Sequence, residues 1–354
     1  MEDYDVVIIG AGPAGSSAAK ILEEKGHKIH IIDKKIFPRS KPCAGVLSPK
    51  IRSLIEIPEV ICERLLQGYR VFSPSGIVVE SSFPEKGFIV RRRKFDTFLV
   101  EQLKNQPTHK TVKGIKDMGK HLEIEGDNWS CKARFAIGAD GANSVISKCC
   151  NITQKRIAAA AQYEIKLSSD DIDKRIGNWF EVYYTLSYGY GWISPMQDGL
   201  KIGVGIVTDY LKENIWNVLT RFMNQDGVKQ KWNGGEVINK EGANIPMAGP
   251  LETLASNRIL LVGDAGGFVY PGTGEGIFYA IKSGRIAGKV IDHAIVNNES
   301  DIASLEKHYS KELENNGLLG LRDVEFVEKY LSNSKNAERY VKRLKHIAGG
   351  NSIS

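Results

Sequence analysis

The chain has 354 residues, a formal net charge of +6 and 25% charged residues, which suits a globular enzyme of about two domains. No basic block carries interleaved aromatic residues, which argues against nucleic-acid binding. No apolar run reaches the ~18 residues that a membrane-spanning helix needs, so any membrane contact is expected to be peripheral. The five cysteines show no metal-like spacing and follow no signal peptide, which predicts reduced thiols, no metal site and a cytoplasmic protein.

The first predicted elements are a strand, a glycine-rich turn and a helix. Val6–Ile9 is a β-branched run suited to a buried strand, and Ser16–Glu24 has the pattern of a helix. The turn between them consists of Gly10, Ala11, Gly12, Pro13, Ala14 and Gly15. In such a turn the first glycine allows the tight bend, the second admits a pyrophosphate and the third lets helix and strand pack closely. The helix N-terminus then faces the negative charge, so the pattern predicts a dinucleotide site.

A second predicted strand supports the same site. Lys28–Ile32 is followed by Asp33, which lies 18 residues after Gly15, and then by Lys34. A carboxylate at this position can accept hydrogen bonds from a ribose diol. The alternative, a structural turn with an incidental acid, explains the strand, helix and acid less well than a dinucleotide site does.

Two later strands also end in glycine and aspartate. Phe135–Gly138 leads into Asp140 and Gly141, and Arg258–Val262 leads into Gly263 and Asp264. Either segment alone could be an ordinary turn. Together with the first motif they resemble the three-part signature of the p-hydroxybenzoate hydroxylase-like FAD superfamily.

This resemblance implies an α/β fold with a Rossmann-like FAD-binding domain. It also implies that Asp264 binds the ribityl or ribose hydroxyls and that Asp140 braces the loop near the pyrophosphate. The segment Pro271–Ile277 would pass beside the flavin ring, where the N-terminus of the following helix stabilises negative charge. Arg92 matches the superfamily arginine that contacts the cofactor, but its neighbours Arg91 and Arg93 leave that assignment to register alone.

Three segments narrow the resemblance further: Phe37–Pro49, Tyr188–Pro195 and Gly263–Ile277. In combination they resemble the geranylgeranyl reductase family, which includes archaeal digeranylgeranylglycerophospholipid reductases and chlorophyll-pathway enzymes. The cofactor-binding residues that the motifs and the resemblance imply are Gly10, Gly12, Pro13, Ala14, Gly15, Asp33, Lys34, Cys43, Ala44, Gly45, Arg92, Val112, Asp140, Gly141, Gly263, Asp264, Gly274, Gly276 and Ile277.

The same resemblance implies a catalytic cysteine. The family places a cysteine of a Lys-x-Cys-x-Gly segment near the flavin, and Cys43 occupies that position, with Ala44 where glycine is common. Cys43 is therefore the candidate catalytic residue, either as the acid or as a group that positions the flavin. The alternative is that Cys43 is a small buried apolar residue.

The resemblance also implies a prenyl-binding element. Tyr190, Trp192 and Pro195 match the family residues that line a tunnel for the prenyl chain, whereas Ser194 replaces a phenylalanine. That replacement leaves the tunnel shape, and with it the exact substrate, open. The aromatic residues could also be ordinary strand residues in a sheet core, although their glycine neighbours favour close approach of a ligand.

The remaining elements predict an interleaved architecture. Alternating patterns predict an antiparallel substrate-binding sheet, with a helix near Asn214–Gln225, and a charged helical pattern follows from about Ile302. The predicted domains are an FAD-binding domain of 1–65, 85–150 and 250–295, a substrate-binding β-sheet domain of 66–84 and 151–249, and a C-terminal helical segment of 296–354.

The leading functional hypothesis is FAD-dependent reduction of isolated carbon–carbon double bonds in a geranylgeranyl chain, carried by a lipid or a prenyl diphosphate. The external reductant could be NADPH, reduced ferredoxin or a deazaflavin. Two rivals share the fold: an FAD-dependent monooxygenase or halogenase, and a non-catalytic flavin electron carrier or prenyl-lipid binding protein. A basic C-terminal helix that lies on the inner face of the membrane is a less favoured alternative. The sequence does not distinguish a monomer from a dimer.

Overall fold

The computed structural model describes residues 2–154, 156–299, 301–321 and 325–350, with side chains as far as Ile347. The chain divides into two compact units by its internal contacts. Unit 1 comprises Met1–Arg39, Arg93–Lys155 and Ile245–Val324, and unit 2 comprises Ser40–Arg92, Arg156–Asn244 and Glu325–Ser354.

The described residues form strands and helices that we number in chain order. The strands are β1 Glu2–Ile9, β2 Ile29–Asp33, β3 Val46–Leu47, β4 Cys62–Phe72, β5 Val78–Val90, β6 Thr108–His109, β7 Val112–Asp117, β8 Leu122–Gly126, β9 Trp129–Gly138, β10 Ile157–Lys166, β11 Trp179–Tyr183, β12 Gly189–Pro195, β13 Gly199–Val207, β14 Glu236–Pro246, β15 Ala255–Ser256 and β16 Ile259–Leu261. The helices are α1 Pro13–Glu24, α2 Arg92–Glu101, α3 Val145–Cys149, α4 Ser169–Arg175, α5 Ile215–Met223, α6 Asp226–Trp232, α7 Ile277–Val296, α8 Ile302–Asn315, α9 Phe326–Leu331 and α10 Ser334–Gly350.

The sheet of unit 1 has β1 at its centre. The strand order is β15-β16-β9-β1-β2-β6, and the pairs from β16 to β6 are parallel. Val6, Val7 and Ile8 are fully buried, as expected for the central strand of a parallel sheet that is covered on both faces. Because β1, β9 and β16 run in the same direction, their carboxyl ends meet at one edge, where ligands bind in such sheets.

Helices α1 and α7 pack closely against each other in unit 1. A Cβ atom at Gly284 would lie 2.1 Å from the carbonyl oxygen of Ala14, and one at Gly288 would lie 3.0 Å from the Cβ of Ile21. Only residues without side chains permit this approach of the two helices. The close packing places the first turn of α1 against the third turn of α7.

The sheet of unit 2 has the order β14-β10-β13-β12-β11-β4-β5-β3. One face carries a core of Ile193, Ile202, Val204 and Phe222, which α5 helps to cover. The alternation of strand residues leaves a second, opposite face, which carries Tyr190 and the other even-numbered residues of β12. The neighbouring strands from β10 to β11 pair antiparallel, as do β4 with β5 and β5 with β3, whereas β4 and β11 are parallel.

The predicted fold class is confirmed by a Rossmann-like sheet, a second, largely antiparallel sheet and C-terminal helices. The helix expected near Asn214–Gln225 is α5. The contact division places residues 40–65 and 85–92 with the second sheet, because β4 and β5 pair there over their whole length, and divides the C-terminal helices between the units. The assignment of domains to cofactor and substrate stays a prediction. Across the described ranges, no helix is both long and apolar enough to cross a membrane.

Candidate active site

The glycine-rich turn after β1 forms an open phosphate-binding loop. Gly10 has a φ of +102°, and a Cβ atom there would lie 2.3 Å from the carbonyl oxygen of Ala139. A Cβ atom at Gly15 would lie 1.8 Å from the Gly10 carbonyl oxygen, so both positions require glycine. Helix α1 begins after Gly12 without a side-chain cap and with Pro13 in its first turn. Its first backbone N–H groups are therefore available to an anion.

Asp33, at the end of β2, closes this loop from the side. Its carboxylate accepts hydrogen bonds from the backbone N–H groups of Ala11 at 2.8 Å and Lys35 at 2.8 Å. The predicted ribose-binding carboxylate is thus fixed beside the loop, and each oxygen retains a lone pair for a hydroxyl group. Lys34 is exposed, and its carbonyl oxygen lies 3.0 Å from the His109 Nε2 at the end of β6. Val112, three residues further, is buried at the start of β7.

The loop after β9 is braced by Asp140. Its carboxylate accepts hydrogen bonds from the Ser144 hydroxyl at 2.6 Å and the Val145 N–H at 2.6 Å. Burial raises the pKa of Asp140, although these hydrogen bonds act in the opposite direction. Gly141 has a φ of +85°, and no atom lies within 4 Å of the position of a Cβ there. Asp140 therefore holds the start of α3 in place, while Gly141 leaves the loop open at the sheet edge.

The segment after β16 joins the same edge. Gly263 has a φ of +56°, and a Cβ atom there would lie 2.9 Å from the Cβ of Ala14 in α1. The Asp264 Oδ1 lies 3.5 Å from the position of a Cβ at Gly276, the residue that precedes Ile277 and helix α7. Helix α7 also begins without a side-chain cap. Two helix N-termini and one carboxylate thus converge at this edge.

The turn before α7 is closed by backbone hydrogen bonds. The Tyr270 N–H donates to the Glu275 carbonyl oxygen at 2.9 Å, and the Gly274 N–H donates to the Tyr270 carbonyl oxygen at 2.8 Å. Gly274 has a φ of +70°, which a residue with a side chain rarely adopts. Gly274, Gly276 and Ile277 therefore lie in one compact turn at the N-terminus of α7.

A buried ion pair beside the phosphate-binding loop has no counterpart among the predicted site residues. The Arg39 Nη2 lies 3.1 Å from the Asp96 Oδ2, and the Asp96 side chain is fully buried. The same guanidinium nitrogen lies 3.1 Å from the position of a Cβ at Gly12. The Arg39 Nε is buried and has no hydrogen-bond partner among the described residues. Arg39 stands in a segment noted for its family resemblance, but no local pattern relates it to Asp96 or to the loop.

Gln154 is a second residue that the sequence did not indicate. Its Nε2 donates to the Asp264 carbonyl oxygen at 3.0 Å, while its Oε1 is buried without a partner in the described part of the chain. Unpaired buried polar atoms are rare in folded proteins and call for an explanation. An unpaired donor on Arg39, an unpaired acceptor on Gln154 and the uncapped start of α1 fit a bound dinucleotide with an anionic pyrophosphate. These residues of unit 1 therefore fit FAD.

In unit 2, the segment Cys43–Gly45 crosses the edge of the second sheet. Cys43 is a half-buried free thiol, and its sulfur accepts a hydrogen bond from the Gly45 N–H at 3.3 Å. Gly45 has a φ of +79°, and its carbonyl oxygen accepts from the Val90 N–H at 2.9 Å. A Cβ atom at Gly45 would lie 2.1 Å from the Val90 carbonyl oxygen, so glycine is required next to the thiol.

The three consecutive arginines Arg91, Arg92 and Arg93, at the start of α2, differ in their surroundings. Arg91 forms ion pairs with Glu63 at 3.0 Å and, at closer range, with Glu164 and Asp198. Arg93 is exposed, whereas Arg92 is 5% exposed at the start of α2. Burial thus distinguishes Arg92 from its neighbours. In the sequence, only the register favoured Arg92 over Arg91 and Arg93 as the arginine that contacts the cofactor. Its contact with a cofactor stays a prediction.

Tyr190 and Trp192 lie on the face of the second sheet that does not carry the α5 core. They stand opposite Gly205 and Gly203 of β13, and a Cβ atom at Gly203 would lie 2.2 Å from the Trp192 Cζ2. Because these two glycines have no side chains, the indole ring of Trp192 has room on this face. The Trp192 Nε1 is buried without a partner in the described residues, and burial raises the pKa of Tyr190, so that its hydroxyl stays neutral. Pro195 lies on the opposite face, because strand residues alternate.

Aromatic residues extend this face toward the C-terminal helices of unit 2. The ring centroid of Tyr184 lies 6.2 Å from that of Tyr190 and 5.6 Å from that of Tyr340 in α10. Tyr340 in turn contacts Phe326 at 5.4 Å and Tyr330 at 4.8 Å. The result is a continuous cluster of aromatic rings, in which Tyr184 and Phe326 are buried.

Comparison with known proteins identifies the relatives of this chain. Residues 4–128 match the family described as pyridine nucleotide-disulphide oxidoreductase. The digeranylgeranylglycerophospholipid reductase of Methanosarcina acetivorans is 31% identical, over 87% of this chain and 80% of that protein. The geranylgeranyl diphosphate reductase of Rhodobacter capsulatus is 30% identical, over 81% of this chain and 74% of that protein.

Solved structures give the same result. A geranylgeranyl bacteriochlorophyll reductase-like protein from Thermoplasma acidophilum has a TM-score of 0.85 and 25% identity, covering 98% of this chain and 92% of that one. A flavin-dependent brominase, with a TM-score of 0.74 and 21% identity, shares the fold alone. The chain therefore belongs to the geranylgeranyl reductase and digeranylgeranylglycerophospholipid reductase family of FAD-dependent oxidoreductases.

Proposed function

We propose that this enzyme reduces isolated carbon–carbon double bonds in a geranylgeranyl chain that is attached to a membrane lipid precursor or to a diphosphate. The observation that carries the proposal is the aromatic face of unit 2, where Tyr190 and Trp192 lie beside two residues without side chains. Aromatic side chains of this kind suit an isoprenoid chain better than a small polar substrate. The relatives named for geranylgeranyl substrates support this choice of chain.

FAD is held, in this proposal, by the loop Gly10–Gly15 and Asp33, with Arg39 at the pyrophosphate and Asp264 at the ribityl hydroxyls. Once reduced, bound FAD supplies the hydride for one alkene carbon. An isolated alkene has no carbonyl group that a residue could polarise. The protein must therefore supply alignment, exclusion of water and a proton.

The residues of unit 2 supply these contributions. Tyr190 and Trp192 orient the prenyl chain and exclude water from it. Cys43 holds a proton on its sulfur for the second alkene carbon, and the Gly45 N–H, 3.3 Å from that sulfur, stabilises the charge that remains when the proton leaves.

The decisive experiment separates the chemistry from the choice of electron donor. The purified FAD-loaded protein is reduced with dithionite without oxygen and mixed with a geranylgeranylated glycerophospholipid or with geranylgeranyl diphosphate, and the products are analysed by mass spectrometry. We expect a gain of two hydrogens for each double bond reduced. Unchanged substrate despite measured binding would contradict the proposal, as would a hydroxylated or halogenated product formed only with oxygen. NADPH, reduced ferredoxin and a reduced deazaflavin can then replace dithionite in turn.

A further inference from the structure

Three buried side chains of unit 2 hold the backbone of the cysteine segment. The Lys201 Nζ donates to the Cys43 carbonyl oxygen at 3.1 Å, and the Gln162 Nε2 lies 3.4 Å from the same oxygen. The Ser194 hydroxyl donates to the next carbonyl oxygen, that of Ala44, at 2.8 Å. Lys201 and Ser194 therefore hold two consecutive carbonyl groups, while the shorter hydrogen bond of Gln162 goes to the Glu241 Oε2 at 2.8 Å.

The sheet register explains why these donors converge. Gln162 of β10 pairs with Gly203 of β13, and Ser194 of β12 pairs with Lys201 of β13. All three side chains thus project from adjacent strands on the face that also carries Trp192. Gln162, Ser194 and Lys201 are 2%, 0% and 4% exposed, respectively, so each donor is withdrawn from water.

Lys201 is an unusual residue for this position. Lysine is almost never fully buried unless it is paired, and among the described residues Lys201 forms no ion pair. Its recorded partner is the neutral carbonyl group of Cys43. Burying an ammonium group costs free energy that a single carbonyl contact offsets only in part, so its presence calls for a function besides stability.

We infer that Lys201 is a positioning residue of the reaction, which fixes the Cys43 backbone, with help from Gln162 and Ser194, so that the thiol occupies one place at the substrate face. The inference rests on the proposed function for its link to catalysis. The local conformation supports it, because Gly45, with its φ of +79° and its bond to Val90, fixes the segment from the other side. A thiol held at both ends of its segment loses little entropy when it donates a proton.

The experiment compares Lys201→Met with Lys201→Arg in the FAD-loaded enzyme. Lys201→Met should lower kcat about 10-fold or more while KM changes less than about threefold, because the substrate surface is intact and only alignment is lost. It should also speed amide hydrogen exchange in residues 43–45 about 10-fold, since the main anchor is gone. Lys201→Arg keeps the donor and should recover most of both losses. Ser194→Ala, which removes one anchor with less disturbance, should give a smaller change in the same direction.

Lys231→Met is the matched control, because Lys231 belongs to the same unit and donates to the buried Glu181 at 3.1 Å on the other face of the sheet. It should lower the thermal midpoint but leave kcat and exchange at residues 43–45 unchanged. Unchanged exchange in Lys201→Met would overturn the anchoring, and faster exchange with an unchanged kcat would overturn the catalytic role. If the wild-type enzyme reduces no alkene, the proposed function fails, whereas the exchange data still decide whether Lys201 anchors the segment.

Discussion

The glycines of the phosphate-binding loop and the glycine beneath Trp192 have different surroundings. In unit 1, Gly10, Gly15 and Gly263 have no side chains because neighbouring backbone or a helix atom occupies that space. In unit 2, a Cβ atom at Gly203 would lie 2.2 Å from the indole ring of Trp192 and 2.9 Å from the Ala161 carbonyl oxygen, so the closer contact is with a side chain. A backbone cannot move aside, whereas a side chain can adopt another rotamer. Gly15 should therefore tolerate substitution less well than Gly203.

The units also differ in how they bury charge. Arg39 of unit 1 is paired with Asp96, a full charge pair at 3.1 Å, beside the loop predicted for the anionic pyrophosphate. Lys201 of unit 2 faces a neutral carbonyl group at 3.1 Å. The Arg39 Nε also lies 3.9 Å from the Asp33 Oδ2, so carboxylates flank this guanidinium group, whereas Lys201 forms no ion pair among the described residues. The comparison suggests that unit 1 is built to hold a ligand and unit 2 to hold a reacting group in place.

The largest expected effect comes from Gly15→Ala. The new methyl group would stand 1.8 Å from the Gly10 carbonyl oxygen, and no side-chain movement relieves this clash. We expect a loss of more than about 4 kcal/mol of stability, because backbone overlap of this kind forces strand and helix apart. The protein should be colourless, as measured by visible flavin absorbance together with thermal unfolding. Gly320→Ala is the control in the same unit, since nothing lies within 4 Å of its Cβ position.

Cys43→Ala should keep the bound FAD and lower alkene reduction about 100-fold or more, the usual contribution of a positioned acid. The measurement is the rate of product formation after anaerobic reduction, at equal flavin content. Cys62→Ala, which removes another half-buried free thiol of unit 2, serves as the comparison and should retain activity. If Cys43→Ala turns over at the wild-type rate, the thiol has no part in the reaction, and the contrast between the two units disappears.

The fold could be predicted from the sequence further than the site could. The strand, turn and helix around Gly10–Gly15 are local in sequence, and their spacing alone indicates a dinucleotide site. The pair Arg39–Asp96 and the contact between Lys201 and Cys43 depend on how distant strands and helices pack, and the latter spans 158 positions. Pro195 and Trp192 lie on opposite faces of the sheet because strand residues alternate. This could be predicted only if the bounds of β12 were known. The family resemblance indicated Cys43 as the candidate catalytic residue. It did not indicate that Lys201, Gln162 and Ser194 contact the backbone of its segment.

Arg39→Met should weaken FAD binding by about 10- to 100-fold, the range expected when a charge-assisted hydrogen bond of about 1.5–3 kcal/mol is lost. The dissociation constant of FAD, measured by fluorescence titration of the apoprotein, gives this value. Because the single variant removes the guanidinium group that pairs with the buried Asp96, the double variant Arg39→Met with Asp96→Leu is needed as well. The double variant should recover stability but not FAD affinity. Recovery of both would mean that Arg39 serves the fold alone.

The smallest expected effect tests the tolerance of the substrate face, with two neighbouring glycines as a matched pair. A Cβ atom at Gly203 would lie 2.2 Å from the Trp192 ring, whereas one at Gly205 would lie 3.6 Å from it, an ordinary contact. Gly203→Ala should displace the indole ring and raise KM for the prenyl substrate about 10-fold, equivalent to about 1.4 kcal/mol. Gly205→Ala should change KM little, and both variants should keep their FAD. Tryptophan fluorescence reports the ring, and steady-state kinetics report KM. Equal KM values in the two variants would show that Trp192 does not bind the chain, because the ring would have moved in only one of them.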